Sequence, residues 1–230
     1  MKKSKFQIFV LFIILIGFPA LSWYYLKSGF DYQMTARAEL KDYGNLTTFS
    51  FTDMEGKELN QDSLKSKMVV LAFLGKNDEI NNDMLEIIGR LNQQFGDNES
   101  LRLLVGTLQP ERDSLAKLKQ VFTSGNYIAD QVVLYRGDKD KIQRWLGKEI
   151  KIPVEWIENE DGVHDIRIVE NDNPELEDYP FFVVTDTKHK IRNFYHIQKQ
   201  PEIHRMVEHI ALLLPREPEI DAVYVPEKEK

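Results

Sequence analysis

Residues 68–84, MVVLAFLGKNDEINNDM, leave the chain few ways to fold. Val69–Leu74 is apolar at every position, so it predicts a strand buried on both faces. The run stops at Gly75-Lys76-Asn77-Asp78. Met84, Leu85, Ile87, Ile88 and Leu91 then recur at helical spacing. A buried strand feeding an amphipathic helix through a short polar turn predicts the start of a β–α–β unit. Helix N-termini offer unpaired N–H groups and a positive dipole end, which suits reactive groups placed at such turns. This turn carries a lysine, asparagines and two acids, and no thiol. Asp78 and Glu79 are expected to favour the helix dipole rather than to act as an acid–base pair.

The N-terminus sets a second constraint. Phe6–Leu26 contains no charge, follows Lys2, Lys3 and Lys5, and ends in Trp23-Tyr24-Tyr25. Its length suits one membrane span, with the lysines on the cytoplasmic side and the aromatic rings at the outer interface. The competing reading is a signal peptide cleaved at Ala20-Leu21-Ser22. The apolar run continues past that site, which favours an uncleaved anchor. Pro19 is expected to kink it. The body is then expected outside the cytoplasmic membrane of a bacterium. It holds 27 of the 30 basic residues and all 37 acids, a net charge of −10. An acidic body argues against nucleic acid as a partner. The chain has no cysteine, which removes disulfides, thiolate metal sites and thiol redox chemistry.

The rest predicts an alternating order of elements. Residues 27–43 read as a tether or a short helix, and the domain as residues 44–214. Thr47–Leu59 predicts a β-hairpin around Glu55-Gly56. The first helix ends near Phe95 with Gly96 as its C-cap. Leu101–Leu108 is a second buried strand, Ser114 caps a helix over about 115–123, and 131–135 is a short strand or extended piece. Residues 139–146 read as a helix. The acidic stretch 158–178 reads as an exposed hairpin or loop. Tyr179–Thr185 and Ile191–Ile197 predict an antiparallel pair, and Pro201–Leu214 a closing helix with proline in its first turn. Residues 215–230 read as an extended tail. A parallel pair, then an antiparallel pair and a closing helix, is a thioredoxin-like α/β arrangement.

At the level of motifs the chain resembles the Sco/SenC family, membrane-anchored thioredoxin-like proteins. The resemblance rests on the hairpin FSFTDMEGKEL, the strand VVLAF, QPERDSLAKLKQVF over 109–122, and FFVVTDTKHKIRNFY over 181–195. Pro110, Glu111, Asp113 and Leu118 match a DPExDxxxxL-type pattern, with Gln109 in place of its first Asp. Asp186, Ile191, Arg192 and Tyr195 match a strand–turn–strand ending in IRxxY. The resemblance implies a CxxxC pair after the central strand and a later histidine, which together bind copper for cytochrome oxidase. On this chain the two cysteine positions fall on Lys76 and Ile80, their flanking prolines on Asn77 and Asn81, and the histidine near Asp178. Soft Cu(I) wants sulfur donors; an ammonium has no lone pair to give and isoleucine has no donor atom. The resemblance thus implies the fold without the copper chemistry: no metal, no cofactor and no catalytic residue.

Other candidates are weaker. His164, with Asp161 and Asp165, could be a relocated metal ligand, and Met84 could join such a site; a solvated loop histidine is the plainer reading. The acids of 158–178 lack the spacing of a calcium loop. His204 and His209 read as surface residues on different faces of the last helix, His189 as a turn residue and His196 as a strand end. If Pro180 follows a cis bond, it would lie against Gly75–Asp78 and mark a substrate groove with Gly75 and Asn77. If trans, it is a proline at a strand start. The expected function is a membrane-tethered, non-catalytic binding or assembly factor beside a respiratory complex. The alternatives are a metal-handling or thiol-pathway protein with a relocated site, and an accessory subunit whose span packs against other helices near Gly17 and Ala20.

Overall fold

The computed structural model describes residues 5–46, 49–53, 56–108, 131–137, 142, 145–146, 150, 153–158, 164–168 and 179–215. Helix α1 (Lys5–Phe12), one wide π turn (Ile13–Gly17) and α2 (Phe18–Glu39) run on without a break. Proline has no N–H to donate. The turn just before Pro19 widens, and the Phe18 N–H reaches the carbonyl of Ile13. Phe9–Glu39 is long and apolar enough to cross a membrane by length and composition. Residues 27–43, expected as a tether or short helix, are helical to Glu39 and then extended. The N–H groups of Lys41 and Tyr43 donate to the carbonyls of Arg192 and Ile191 at 3.1 and 3.0 Å.

Seven strands form the main sheet: β1 (Ser50–Asp53), β2 (Glu58–Asn60), β3 (Met68–Leu74), β4 (Leu101–Thr107), β5 (Val132–Arg136), β8 (Tyr179–Thr185) and β9 (Ile191–His196). Their order is β2-β1-β5-β4-β3-β8-β9. β3, β4 and β5 are parallel, whereas β1, β8 and β9 join antiparallel. The hairpin pairs Phe51 with Leu59, and Gly56 supplies a left-handed φ of 82° that a side chain would resist. Its attachment to β5 was not visible from sequence spacing. β6 (Pro153–Glu158) and β7 (His164–Ile168) form a separate antiparallel hairpin, with Glu158 opposite His164. His164, expected in a loop, therefore opens a strand, because the hairpin begins five residues before the acidic stretch. The helix predicted over 115–123 lies outside the described residues, as do most of 139–146 and everything after 215.

β3 is buried along its whole length because both faces are covered. Met68, Val70, Ala72 and Leu74 face α3 (Asp78–Phe95) and α4 (Gln200–Leu213), which bring Met84, Ile87, Ile88, Leu91, Ile203, Met206 and Ile210. Val69, Leu71 and Phe73 face the hairpin side with Phe49, Phe51, Tyr135 and Trp145. Gly106 is required on β4, since a Cβ there would stand 2.4 Å from the Tyr135 ring. Gly96 does cap α3, but at φ −58° in right-handed conformation. Gln131 takes over part of the capping work: its Nε2 donates to the Phe95 carbonyl at 2.6 Å, and its Oε1 accepts from buried Asn92 at 2.9 Å.

Candidate functional site

The turn after β3 is closed by two asparagines. Asn77 stands in extended conformation ahead of α3, and its Oδ1 accepts from the N–H groups of Glu79 and Ile80 at 3.0 and 3.3 Å. This is an N-cap that occupies donors an anion or nucleophile would otherwise meet. One turn on, Asn81 reaches back to Gly75. Its Oδ1 accepts the Gly75 N–H at 2.8 Å and its Nδ2 donates to the Gly75 carbonyl at 3.0 Å. The Asn81 N–H donates to the Asn77 carbonyl at 3.0 Å. The positions that the resemblance assigns to prolines are thus the residues that hold the turn.

The positions it assigns to thiols point elsewhere. Lys76 is exposed, and Ile80 is half-buried against the α3–α4 side of the core. Asp178 lies outside the described residues. Met84, a possible soft donor, is fully buried among the core side chains. An ammonium, a hydrocarbon and an inaccessible thioether do not fit a soft metal ion, so the turn offers copper no ligand set. Among the described residues no group of three or more His, Asp or Glu side chains is placed to hold a metal.

Register brings three segments to this end of the sheet. Tyr179 pairs with Phe73, which sets Pro180 beside the end of β3. His196 pairs with Phe181 on the far side. The Tyr179–Pro180 bond is trans, so the cis alternative fails; Pro180 is half-buried at the start of β8, and its carbonyl accepts from Ile197 at 3.0 Å. The His196 ring meets Phe181 edge-on at 4.9 Å, and its Nδ1 accepts the Gln198 N–H at 3.2 Å. Burial holds its pKa below the usual histidine value, with Glu202 opposing.

Two further histidines are buried: His189 lies in the turn where the sequence puts it, and His209 does not lie on the surface. His189 has φ 61°, is buried, and sets Nε2 2.8 Å from the Leu64 carbonyl. His209, expected on the surface, is 0 % exposed, with Nδ1 2.6 Å from the Tyr195 hydroxyl. It sits three residues after Met206 on the buried stripe of α4. That spacing was the available signal, and its polar side chain masked it. The Asn77–Asn81 pair was legible in principle, since asparagine before an apolar-periodic run is a helix start.

No curated protein matches the chain. Among solved structures, a SCO1/SenC family lipoprotein from Bacillus anthracis superposes with a TM-score of 0.55 at 18% identity, covering 74% of this chain and 95% of that one. BsSco, described as a member of the Sco family of cytochrome c oxidase assembly proteins, superposes at 0.54 with 16% identity, covering 76% and 95%. At such identities the likeness speaks for the fold. The SCO1/SenC family model matches residues 38–214, nearly the whole body beyond the N-terminal helix, and with the thioredoxin-like sheet this shows that the chain belongs to the SCO1/SenC family.

Proposed function

We propose that this chain is a non-catalytic, membrane-tethered member of the family, which binds or positions a protein partner next to a respiratory complex. The observation that carries the reading is the Asn77–Asn81 closure of the turn. Side-chain amides satisfy the backbone there, and the chain contains no cysteine. Such a turn has the shape for contact and lacks a group for thiol exchange or soft-metal capture. The apolar N-terminal helix would anchor the chain in the bacterial cytoplasmic membrane. Lys2, Lys3 and Lys5 would lie inside and the domain outside. BsSco, which shares the fold, belongs among cytochrome c oxidase assembly proteins. An oxidase subunit or assembly protein is therefore the first partner to seek.

Extraction of the full-length chain from its own membranes in mild detergent tests this. Oxidase subunits or their assembly proteins are expected to co-purify. Recovery of the chain alone, with its fold intact, would contradict the reading.

A further inference from the structure

The seam between α2 and α4 contains a buried titratable group. On α2, Tyr32, Ala36 and Glu39 share one face, and Ala36 is 1 % exposed, its small side chain letting the helices approach. On α4, Arg205 sets Nε 3.0 Å from Glu39 Oε2 and one guanidinium nitrogen 2.7 Å from Glu208 Oε2. Its guanidinium lies 5.1 Å from the Tyr32 ring centre, and the Tyr32 hydroxyl donates to Glu208. Behind this exposed rim His209 is sealed from water, with Nε2 3.6 Å from Glu39 Oε2.

Every element around His209 presents polar groups. β9 brings Tyr195 and Asn193, and the segment after α2 brings Tyr43 near the Tyr195 hydroxyl. α2 brings Glu39 and the Ala36 backbone, and α4 itself brings Arg205 and Glu208. Burial raises the Tyr195 pKa far above its usual value, so its hydroxyl keeps its proton. Nε2 faces the Glu39 carboxylate at 3.6 Å, a group that only accepts, which favours the imidazole proton on Nε2 and leaves Nδ1 to accept from the Tyr195 hydroxyl at 2.6 Å. A second proton has only Nδ1 to bind. It would consume the lone pair that Tyr195 uses and place a cation in a sealed site, where Arg205 opposes it and the Glu39 carboxylate, already paired with Arg205, offsets only part of the cost.

We propose that the α2–α4 seam is an acid-released latch, which holds the N-terminal helix and the domain as one body until His209 is protonated at Nδ1. Burial lowers the His209 pKa; the Ala36 backbone and Glu208 oppose the shift, while Arg205 adds to it. The undocked state, with an ordinary histidine, therefore binds more protons than the docked one. The latch is at full strength above about pH 6.5 and weakens as pH falls through that value towards the docked pKa. This goes beyond the proposed partner role and stands without it.

Because the chain has no cysteine, Lys27→Cys and Gln93→Cys place spin labels only on exposed sites of α2 and α3. Distances are read by pulsed electron resonance on the full chain in detergent micelles, at about pH 7.5 and about pH 5. The wild-type background is expected to give one narrow distance at the higher pH and a broad distribution at the lower. His209→Asn, which can still accept from Tyr195 and does not titrate, is expected to stay narrow at both. His204→Asn, on the exposed face, is expected to broaden as wild type does. A wild-type background that stays narrow at the lower pH would overturn the proposal. So would a His209→Asn protein that is narrow at the higher pH and broadens on acidification. If His209→Asn fails to dock at all, the wild-type and His204→Asn pair still decides the matter.

Discussion

Phe73→Ala is expected to destabilise the domain by about 3–5 kcal/mol, the range for emptying a fully buried aromatic site. Phe73 lies on the strand from which the fold is laid out, with the Tyr135 ring 5.9 Å and the Trp145 ring 6.2 Å away, both roughly edge-on. Deleting it removes the ring shared by β3, β5 and the segment that carries Trp145. The cavity cannot collapse easily, because Tyr135 is pinned over Gly106 and stacked on Phe51 at 4.8 Å. Urea unfolding followed by tryptophan fluorescence measures the loss. Phe73→Leu keeps most of the volume and is expected to cost clearly less. Equal losses for the two substitutions would show that this cluster is not close-packed.

The second large effect belongs to the turn. Asn81→Ala removes both hydrogen bonds to Gly75 and strands one N–H and one C=O at a buried residue. Each stranded group costs about 1–3 kcal/mol. Water can reach the half-buried rim of the turn, so a total near the lower end, about 2–3 kcal/mol, is expected. Asn77→Ala loses only the cap and is expected to cost about 1 kcal/mol. The two asparagines hold one turn, so the double variant should depart from additivity. Hydrogen exchange at the Gly75 amide separates the cases: Asn81→Ala should speed it strongly, and Asn77→Ala much less. If Asn77→Ala proved the more damaging, closure of the turn through Asn81 would be wrong.

Where the chain was legible, the reason was local. The apolar run 69–74, the turn and the Met84–Leu91 periodicity name β3 and α3 from a window of about one helix and one strand. Tyr179–Thr185 and Ile191–His196 were equally clear, because a short polar turn at 186–190 separates two apolar strands. What was hidden depends on distance along the chain. Glu39 meets Arg205 and His209 across more than 160 residues, and no pattern near either end announces the seam. A stretch with Lys27, Asp31 and Arg37 reads as a tether or a short helix, with no docking face evident until α4 is set against Tyr32, Ala36 and Glu39. His209 looked exposed because a lone imidazole usually is, and only its partner Tyr195 explains its place inside. At the turn, the sequence showed which sulfurs were missing. It did not show that Asn81 closes the loop onto Gly75.

On the proposed function, this member of the family carries the scaffold without a group at the turn able to hold a soft metal. Titrating the purified full-length chain with Cu(I) against a competing chelator tests that claim most directly. No stoichiometric uptake is expected, with Cu(I) remaining on the chelator throughout. Tight binding of one Cu(I) per chain, abolished by a change near the 75–81 turn, would contradict it.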